Sequence, residues 1–552
     1  MRIAMKVPFF SAFLLFFTAS TFAQQPAPTQ SQQPPSAQPT APSTSPQNPG
    51  EPTRNADSTF TIRRNARIVI LDMVVTDAKG QVITDLKRDD FRVTEMNEPQ
   101  TILNFEPAGA HSVGSDSSID STSALDTLAP QAPVNIILLD EFNTRFEDMA
   151  FARYSLKKFL DRQPGKLSTP TMLIAVSLQN FTVLHDYTQN KDDLIQSLNH
   201  HFAAYPWQAH QFSWLAERYA TAFLTLRRVA EATIGHPGHK NMIWIGRGFP
   251  NLNMANFPLD TEQRVNNAVQ ECVNVLRDAR ITLYTIDPAG LQIDQQAYGS
   301  DAALTDPFGG NYQFAKLATA TGGRSLYGRN DVDAEIGTAI RDGSSFYSLT
   351  YRPTDDSRNP QKFRRIKVTV DRPGLTVTTR EGYYMQYAPE KTNPVNPSRR
   401  LIADLISADS STMVYDGAPI NVRRTADKPD FFTIHVEAKG LVWSYATDTE
   451  PRTAEVILVA STFDKKNKEL KRDAKTIRAT ATGEVAPTGR LERGLDIHYL
   501  LEPNPKAARV RFVVRVSATG RIGTADVDLT KPPPSASSAL TSAPAPAGEM
   551  AR

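Results

Sequence analysis

The densest set of side-chain oxygens at a predicted strand end is Asp140-Glu-Phe-Asn-Thr144, which follows the apolar run Val134 to Leu139. In an open parallel sheet, ligands sit beyond the carboxyl ends of the strands. Asp140, Asn143 and Thr144 are therefore the candidate binding residues. Carboxylate, hydroxyl and water oxygens suit a hard divalent cation such as Mg2+. Asp287 ends another predicted strand, just before Pro288, and can lend a second carboxylate to the same edge. The candidate metal set is Asp140, Thr144 and Asp287, with the cation an optional bridge to the partner. Each acid also has a structural reading. Asp140 can pair with Arg247 or cap the following helix, and Asp287 can serve as a turn residue.

Other chemistry is less favoured. The chain has nine histidines, and His200, His201, His210, His236 and His239 crowd one region. The spacing of His236-Pro-Gly-His239 invites a metal, but a turn lacks the i, i+4 helical geometry of zinc proteases. There is no Gly-x-Ser-x-Gly elbow and no phosphate loop ending in Lys-Ser or Lys-Thr. Gly246-Arg-Gly248 is only a remnant of a dinucleotide motif. A single cysteine, Cys272, excludes an internal disulfide, a four-cysteine zinc site and a cysteine-ligated iron-sulfur cluster. It falls in the helical pattern Thr261 to Ala279, which reads as a buried, inert thiol. Lys plus Arg (61) nearly balances Asp plus Glu (59), so bulk nucleic-acid binding has no electrostatic basis. Tyr205, Trp207, Phe212 and Trp214 are either core or aromatic anchors for a partner. The expectation is a non-enzymatic protein that binds an unknown protein ligand. Its rivals are a hydrolase or protease with an unrecognised carboxylate and histidine site, and a purely structural envelope component.

The elements around these residues divide the chain. Arg2 and Lys6, the apolar run Val7 to Phe17 and the small residues up to Ala23 predict a signal peptide over 1–23. No later stretch reads as a transmembrane helix, so the mature protein is expected to be exported, to the periplasm or beyond. Residues 24–56 form a Pro-, Gln- and Ser-rich spacer without enough apolar surface to offset ordering. Alternating strands mark a small β unit over 57–108, and a linker spans 109–131. Strands and helices alternate over 132–343, the pattern of a sheet covered by helices. Residues 344–388 return to strands and are predicted to pair with 57–108 around the intervening region. Regular strands over 400–530 predict a sandwich like immunoglobulin or fibronectin modules, and 531–552 reads as a disordered tail. The predicted fold class is thus an α/β doubly wound, Rossmann-like parallel sheet, flanked by a small β domain and a C-terminal β-sandwich.

The region 132–343 resembles a von Willebrand factor type A domain, and the chain resembles the exported family of such proteins first recognised in acidobacteria. The residues that carry this are Leu138 to Thr144, Gly238 to Gly246 with Gly248-Phe-Pro250, Tyr284 to Leu291 and Thr321-Gly-Gly323. Val75 to Gly80, Leu86 to Phe91 and Arg380 to Tyr384 extend the likeness across residues 66 to 387. The resemblance implies adhesion through a metal site of the form Asp-x-Ser-x-Ser. Asp140 matches its aspartate and Thr144 its second serine, while Phe142 replaces the first serine. Arg247 stands near the place of a later carboxylate, and no residue is placed as the site's threonine, Ser213 and Thr221 being only candidates. The implied site is therefore degenerate.

Overall fold

The computed structural model describes residues 68–178, 180–203, 215–249, 252–253, 259–290, 311–312, 314–353, 363–384, 397–425, 427–444, 451–481 and 493–532. The expected signal peptide and spacer, His210, Ser213 and the aromatic residues Tyr205, Trp207, Phe212 and Trp214 lie outside the described residues.

Along the chain, the first strands are Val69–Thr76 (β1), Phe91–Glu95 (β2), Glu98–Gln100 (β3) and Ile102–Glu106 (β4). A short helix, Thr122–Leu128 (α1), precedes Val134–Asp140 (β5), Phe146–Asp161 (α2), Lys166–Val176 (β6), Phe181–Asn190 (β7) and Lys191–His200 (α3). Next come Leu215–Thr233 (α4), Lys240–Ile245 (β8), Leu252–Asn253 (β9), Leu259–Asp278 (α5), Ile281–Ile286 (β10) and Asn311–Tyr312 (β11). Phe314–Ala320 (α6), Ser325–Leu326 (β12) and Val332–Ser344 (α7) lead to Tyr347–Tyr351 (β13), Phe363–Val370 (β14), Thr376–Thr379 (β15) and Gly382–Tyr384 (β16). The last region holds Pro397–Ser410 (α8), Ile420–Thr425 (β17), Lys428–Val436 (β18), Arg452–Phe463 (β19), Glu469–Ala481 (β20), Leu495–Leu500 (β21), Arg509–Val516 (β22) and Ile522–Asp528 (β23).

Strands far apart in sequence share sheets. One antiparallel sheet has the order β15-β1-β13-β4 and the other β16-β14-β2-β3. Val69 lies opposite Tyr351, and Val93 opposite Val368. Alternation decides which side chains turn inward. In β14, Arg364, Ile366 and Val368 are buried while Arg365, Lys367 and Thr369 are exposed. Leu71, Val75, Phe91 and Tyr347 fill the core between the two sheets.

The central sheet has the order β12-β10-β8-β5-β6-β7. Every residue of β5, β8 and β10 is buried, because helices cover both faces. Ile137 and Leu139 pack with Met149, Leu156, Leu194 and Ile336 from α2, α3 and α7. Ile136 and Leu138 face the other side, with Leu226, Val273 and Leu317 from α4, α5 and α6.

The expected α/β doubly wound parallel fold is overturned. Strand makes up 40% and helix 27% of the described residues, so β structure dominates. Most sheets are antiparallel, and the central one is mixed, since β7 runs antiparallel to β6. The cause is local. The amide of Ser177 donates to the carbonyl of Asn180 at 2.8 Å, and so tight a turn reverses the chain where a parallel neighbour needs a long crossover.

The C-terminal strands form a three-stranded sheet, β17-β18-β21, facing a four-stranded sheet, β20-β19-β22-β23. Phe432, Ile434, Val456, Leu458 and Phe512 are buried between them. The outer face of the larger sheet is used as well: Val459, Val513 and Ile522 join the core that contains α4 and Leu405 of α8.

Candidate functional site

β5 delivers Asp140 to the carboxyl edge of the central sheet with no exposed surface. Its Oδ1 accepts hydrogen bonds from the amides of Phe142 (3.3 Å) and Asn143 (2.9 Å). Its Oδ2 accepts from the indole Nε1 of Trp244 (3.1 Å) and the amide of Gly248 (2.8 Å). The carboxylate therefore fastens its own loop to the loop after β8. Burial pushes the Asp140 carboxyl up to about 7, while the indole and the three amides pull it back.

The neighbouring residues close the same corner. Thr144 is fully buried, and its Oγ1 accepts from the amide of Arg247 at 3.3 Å. Asn143 donates from Nδ2 to the carbonyl of Gly248, and its Oδ1 accepts from Arg218 at 3.0 Å. Gly246 has φ +144°, and a β-carbon there would lie 2.4 Å from Cβ of Asp140 and 2.5 Å from Oγ1 of Thr144. Only glycine lets the two strand ends approach this closely.

Asp287 is turned elsewhere. Its Oδ1 accepts from the amide of Ala289 at 3.0 Å and lies 3.7 Å from Nε of Arg247, with both side chains about one-third exposed. The Arg247 side chain thus lies within ion-pair distance of Asp287. Nor does Asp140 cap α2, whose N-cap residue is Arg145; it caps the amides of its own turn.

These residues do not fit a divalent cation. All four hydrogen bonds that Asp140 accepts among the described residues come from N–H groups, so protons occupy lone pairs a metal would need. Phe142 contributes a ring set edge-on to Trp244, with centroids 6.1 Å apart, where an oxygen ligand would stand. Among the described residues, no three His, Cys, Asp or Glu side chains converge on a metal position.

The neighbour of Asp140 is also buried, but its partner reaches the surface. Glu141 Oε1 lies 2.6 Å from Nε2 of His201, at the end of α3. His201 lines an open groove of about 410 Å³ together with His185, Asp193, Ser197 and His200. No local spacing announces this pair, because its members are 60 residues apart.

The histidine turn before β8 is structural. His236 Nε2 contacts the carbonyl of Ala132 at 2.8 Å, and His239 Nδ1 lies 2.9 Å from Oδ2 of Asp72 on β1. Arg280 binds the same carboxylate through NH2 (2.6 Å) and Nε (3.2 Å). Burial pulls the Lys240 amine down to about 7, although its Nζ donates to the carbonyls of His236 and Gly238.

No protein-family profile matches the chain, and no curated protein matches it. Among solved structures, it is similar to two crystal structures of glycosyl hydrolase family 2 members, from Bacteroides cellulosilyticus and Bacteroides cellulosilyticus DSM 14838. The first is 13% identical over 33% of this chain, the second 12% over 34%, each with a TM-score of 0.12. The chain spans about a fifth of the length of those structures (19% and 20%). Likeness at this level carries no argument about fold or activity.

Proposed function

We propose that the chain is an exported, non-catalytic protein that recognises a protein partner beside the carboxyl ends of its central strands. The observation that carries this reading is a set of exposed aromatic rings at that edge. Phe146, Phe151 and Tyr154 of α2 are 47%, 38% and 64% exposed, and Phe202, just past α3, is 90% exposed. Arg153 donates to the carbonyls of Leu198 and His201, both at 2.6 Å, which keeps the Phe202 segment against α2. Rings held in water at a cost to solvation are typical anchors for a partner. The Asp140 lock supports this face by fixing the loop from which α2 starts. Export rests on the signal-like segment 1–23, and kinship with the exported type A-related proteins rests on the motifs alone.

The test is quantitative capture from an envelope extract using wild type, the double variant Tyr154→Ser/Phe202→Ser, and Leu500→Ser as a distant exposed control. The double variant should lose a specific partner that the control retains, with melting unchanged. Equal recovery by all three would refute the reading.

A second reading, hydrolysis, is favoured by the Glu141–His201 contact, since a carboxylate that orients an imidazole is a recurring proton-transfer unit. It requires hydrolysis of ester or peptide substrates that disappears in both Glu141→Gln and His201→Ala. Absence of any turnover in wild type would remove it.

A further inference from the structure

The far end of the sandwich carries a concentration of cations that the near-neutral chain, with its net charge of +2, does not share. The turn between β19 and β20 holds Lys465, Lys466 and Lys468, and the loop before β22 holds Lys506; all four are exposed. Backbone pairing puts the two loops side by side. The amide of Ala508 donates to the carbonyl of Phe463 at 2.8 Å, and Phe463 lies opposite Arg509.

The turn is rigid. Oδ1 of Asp464 accepts from the amides of Lys466 (2.8 Å) and Lys468 (2.9 Å), and Asn467 takes a left-handed φ of 61°. Asn467 Oδ1 in turn accepts from Arg509 at 2.6 Å. The acids nearby are engaged: Asp464 by the turn amides, Glu469 by Arg472 at 2.6 Å, and Glu502 by Lys471. None of the four lysines has an ion-pair partner among the described residues.

We propose that this end of the sandwich docks on the surface of an anionic phospholipid bilayer. The chemistry recognised is the phosphate headgroup, and three features favour a surface over a discrete anion. The cations are ammonium groups on flexible stems, not guanidinium forks that read one phosphate. They stand on two neighbouring loops, and none of the four lines the small pocket of about 80 Å³ that Pro503 and Asn504 share with Lys471 and Tyr499. Asn467, Pro503 and Asn504 separate them, so the tip adsorbs electrostatically and has no apolar wedge to insert. Charged residues can also protect an edge strand such as β20 from pairing, and the experiment separates that role from docking.

Full-length protein is sedimented with vesicles of phosphatidylglycerol mixed with phosphatidylcholine, and with phosphatidylcholine alone. Binding is expected only with the anionic lipid. Each Lys→Gln change at 465, 466, 468 or 506 should lower partitioning about fivefold, the equivalent of ~1 kcal/mol per lysine at such a surface. The quadruple variant should lose binding by hundreds-fold, and salt should release wild type as the screening length shortens. Lys→Arg at the same positions should retain binding, and thermal melting should be unchanged in every variant. Binding equal to both lipids, or undiminished in the quadruple glutamine variant, would overturn the proposal. So would soluble polyphosphate displacing the protein completely at matched phosphate concentration, which would assign the tip to a free polyanion.

Discussion

Asp72 offers the sharpest perturbation of the architecture, because one buried carboxylate joins the small β unit to the central sheet. Its side chain is 5% exposed and faces Arg280 (2.6 Å) and His239 (2.9 Å). Burial opposes ionisation, but Arg280 and His239 more than offset it and hold the carboxyl far below its ordinary range. Removing one partner of a buried ion pair costs ~3–5 kcal/mol, because the other charge is left uncompensated. Arg280 would still donate to the carbonyl of Pro237 (2.8 Å) and to Ser348 (3.2 Å). Burial also lowers the pKa of His239, so the imidazole can stay neutral. Asp72→Ala should therefore fall at the lower end, a loss of about 3 kcal/mol. Asp72→Asn keeps an acceptor for Arg280 and a donor for His239, and should lose only about 1–2 kcal/mol.

The sign of the pH dependence follows from the lowered pKa. An unfolded aspartate titrates near ~4. Asp72 therefore contributes its full stability above that pH and loses it as pH falls toward the native value. The gap between wild type and Asp72→Asn should narrow below pH ~4. Urea unfolding followed by tryptophan fluorescence and by circular dichroism measures both effects. A midpoint for Asp72→Ala within ~0.5 kcal/mol of wild type at neutral pH would refute the reasoning.

Further outcomes follow from the corner at the sheet edge. Gly246→Ala, with its β-carbon 2.4 Å from Cβ of Asp140, should destabilise by about 2–5 kcal/mol in urea, from backbone strain and overpacking; a neutral effect would show that the corner is loose. Trp244→Phe removes the indole donor to Asp140 while keeping an aromatic ring beside Phe142 and Phe314. It should cost about 1–3 kcal/mol, and an unchanged unfolding midpoint would contradict that bond. Calorimetric titration with Mg2+, Mn2+ or Ca2+ should give no saturable heat that depends on Asp140. A binding isotherm abolished by Asp140→Ala would contradict the closed geometry.

Much of the framework was legible because strand signals are local. Val134 to Leu139, Met242 to Ile245 and Ile281 to Ile286 are apolar runs, and they lie in β5, β8 and β10. The helical period over Phe146 to Leu160 likewise marks α2. Several elements escaped, β17, α1, α8 and β20 among them. α1 falls in a Ser- and Asp-rich stretch read as linker, and α8 precedes the strands at a boundary with no strong breaker. β20 alternates poorly, because Lys471, Asp473 and Lys475 stand on an edge strand where burial is slight. Class failed for a different reason: the hairpin from Met172 to Leu178 with Phe181 to His185 is readable in the sequence, but the antiparallel strands of the flanking sheets and the sandwich together outnumber the strands of the central sheet.

At the site, the oxygen-rich corner was visible and its orientation was not. The types of Asp140, Asn143 and Thr144 admit both ligation and locking. The choice is made by Trp244 and Gly248, more than 100 residues away. The charge on Arg247 hinted at a metal-free corner, yet the side chain stands beside Asp287. The exposed rings of α2 were hidden inside an ordinary helical pattern, since periodicity does not reveal which apolar side chains stay uncovered.

The central claim is that recognition occurs on the aromatic face of α2 and Phe202, supported by a closed Asp140 corner. The most direct measurement places a photo-crosslinking amino acid at position 154, and separately at position 500 on the sandwich, in the cell that produces the protein. The account predicts a discrete protein adduct from position 154, lost on Phe202→Ser, and none from position 500. Adducts of equal yield from both positions, or from position 500 alone, would contradict it.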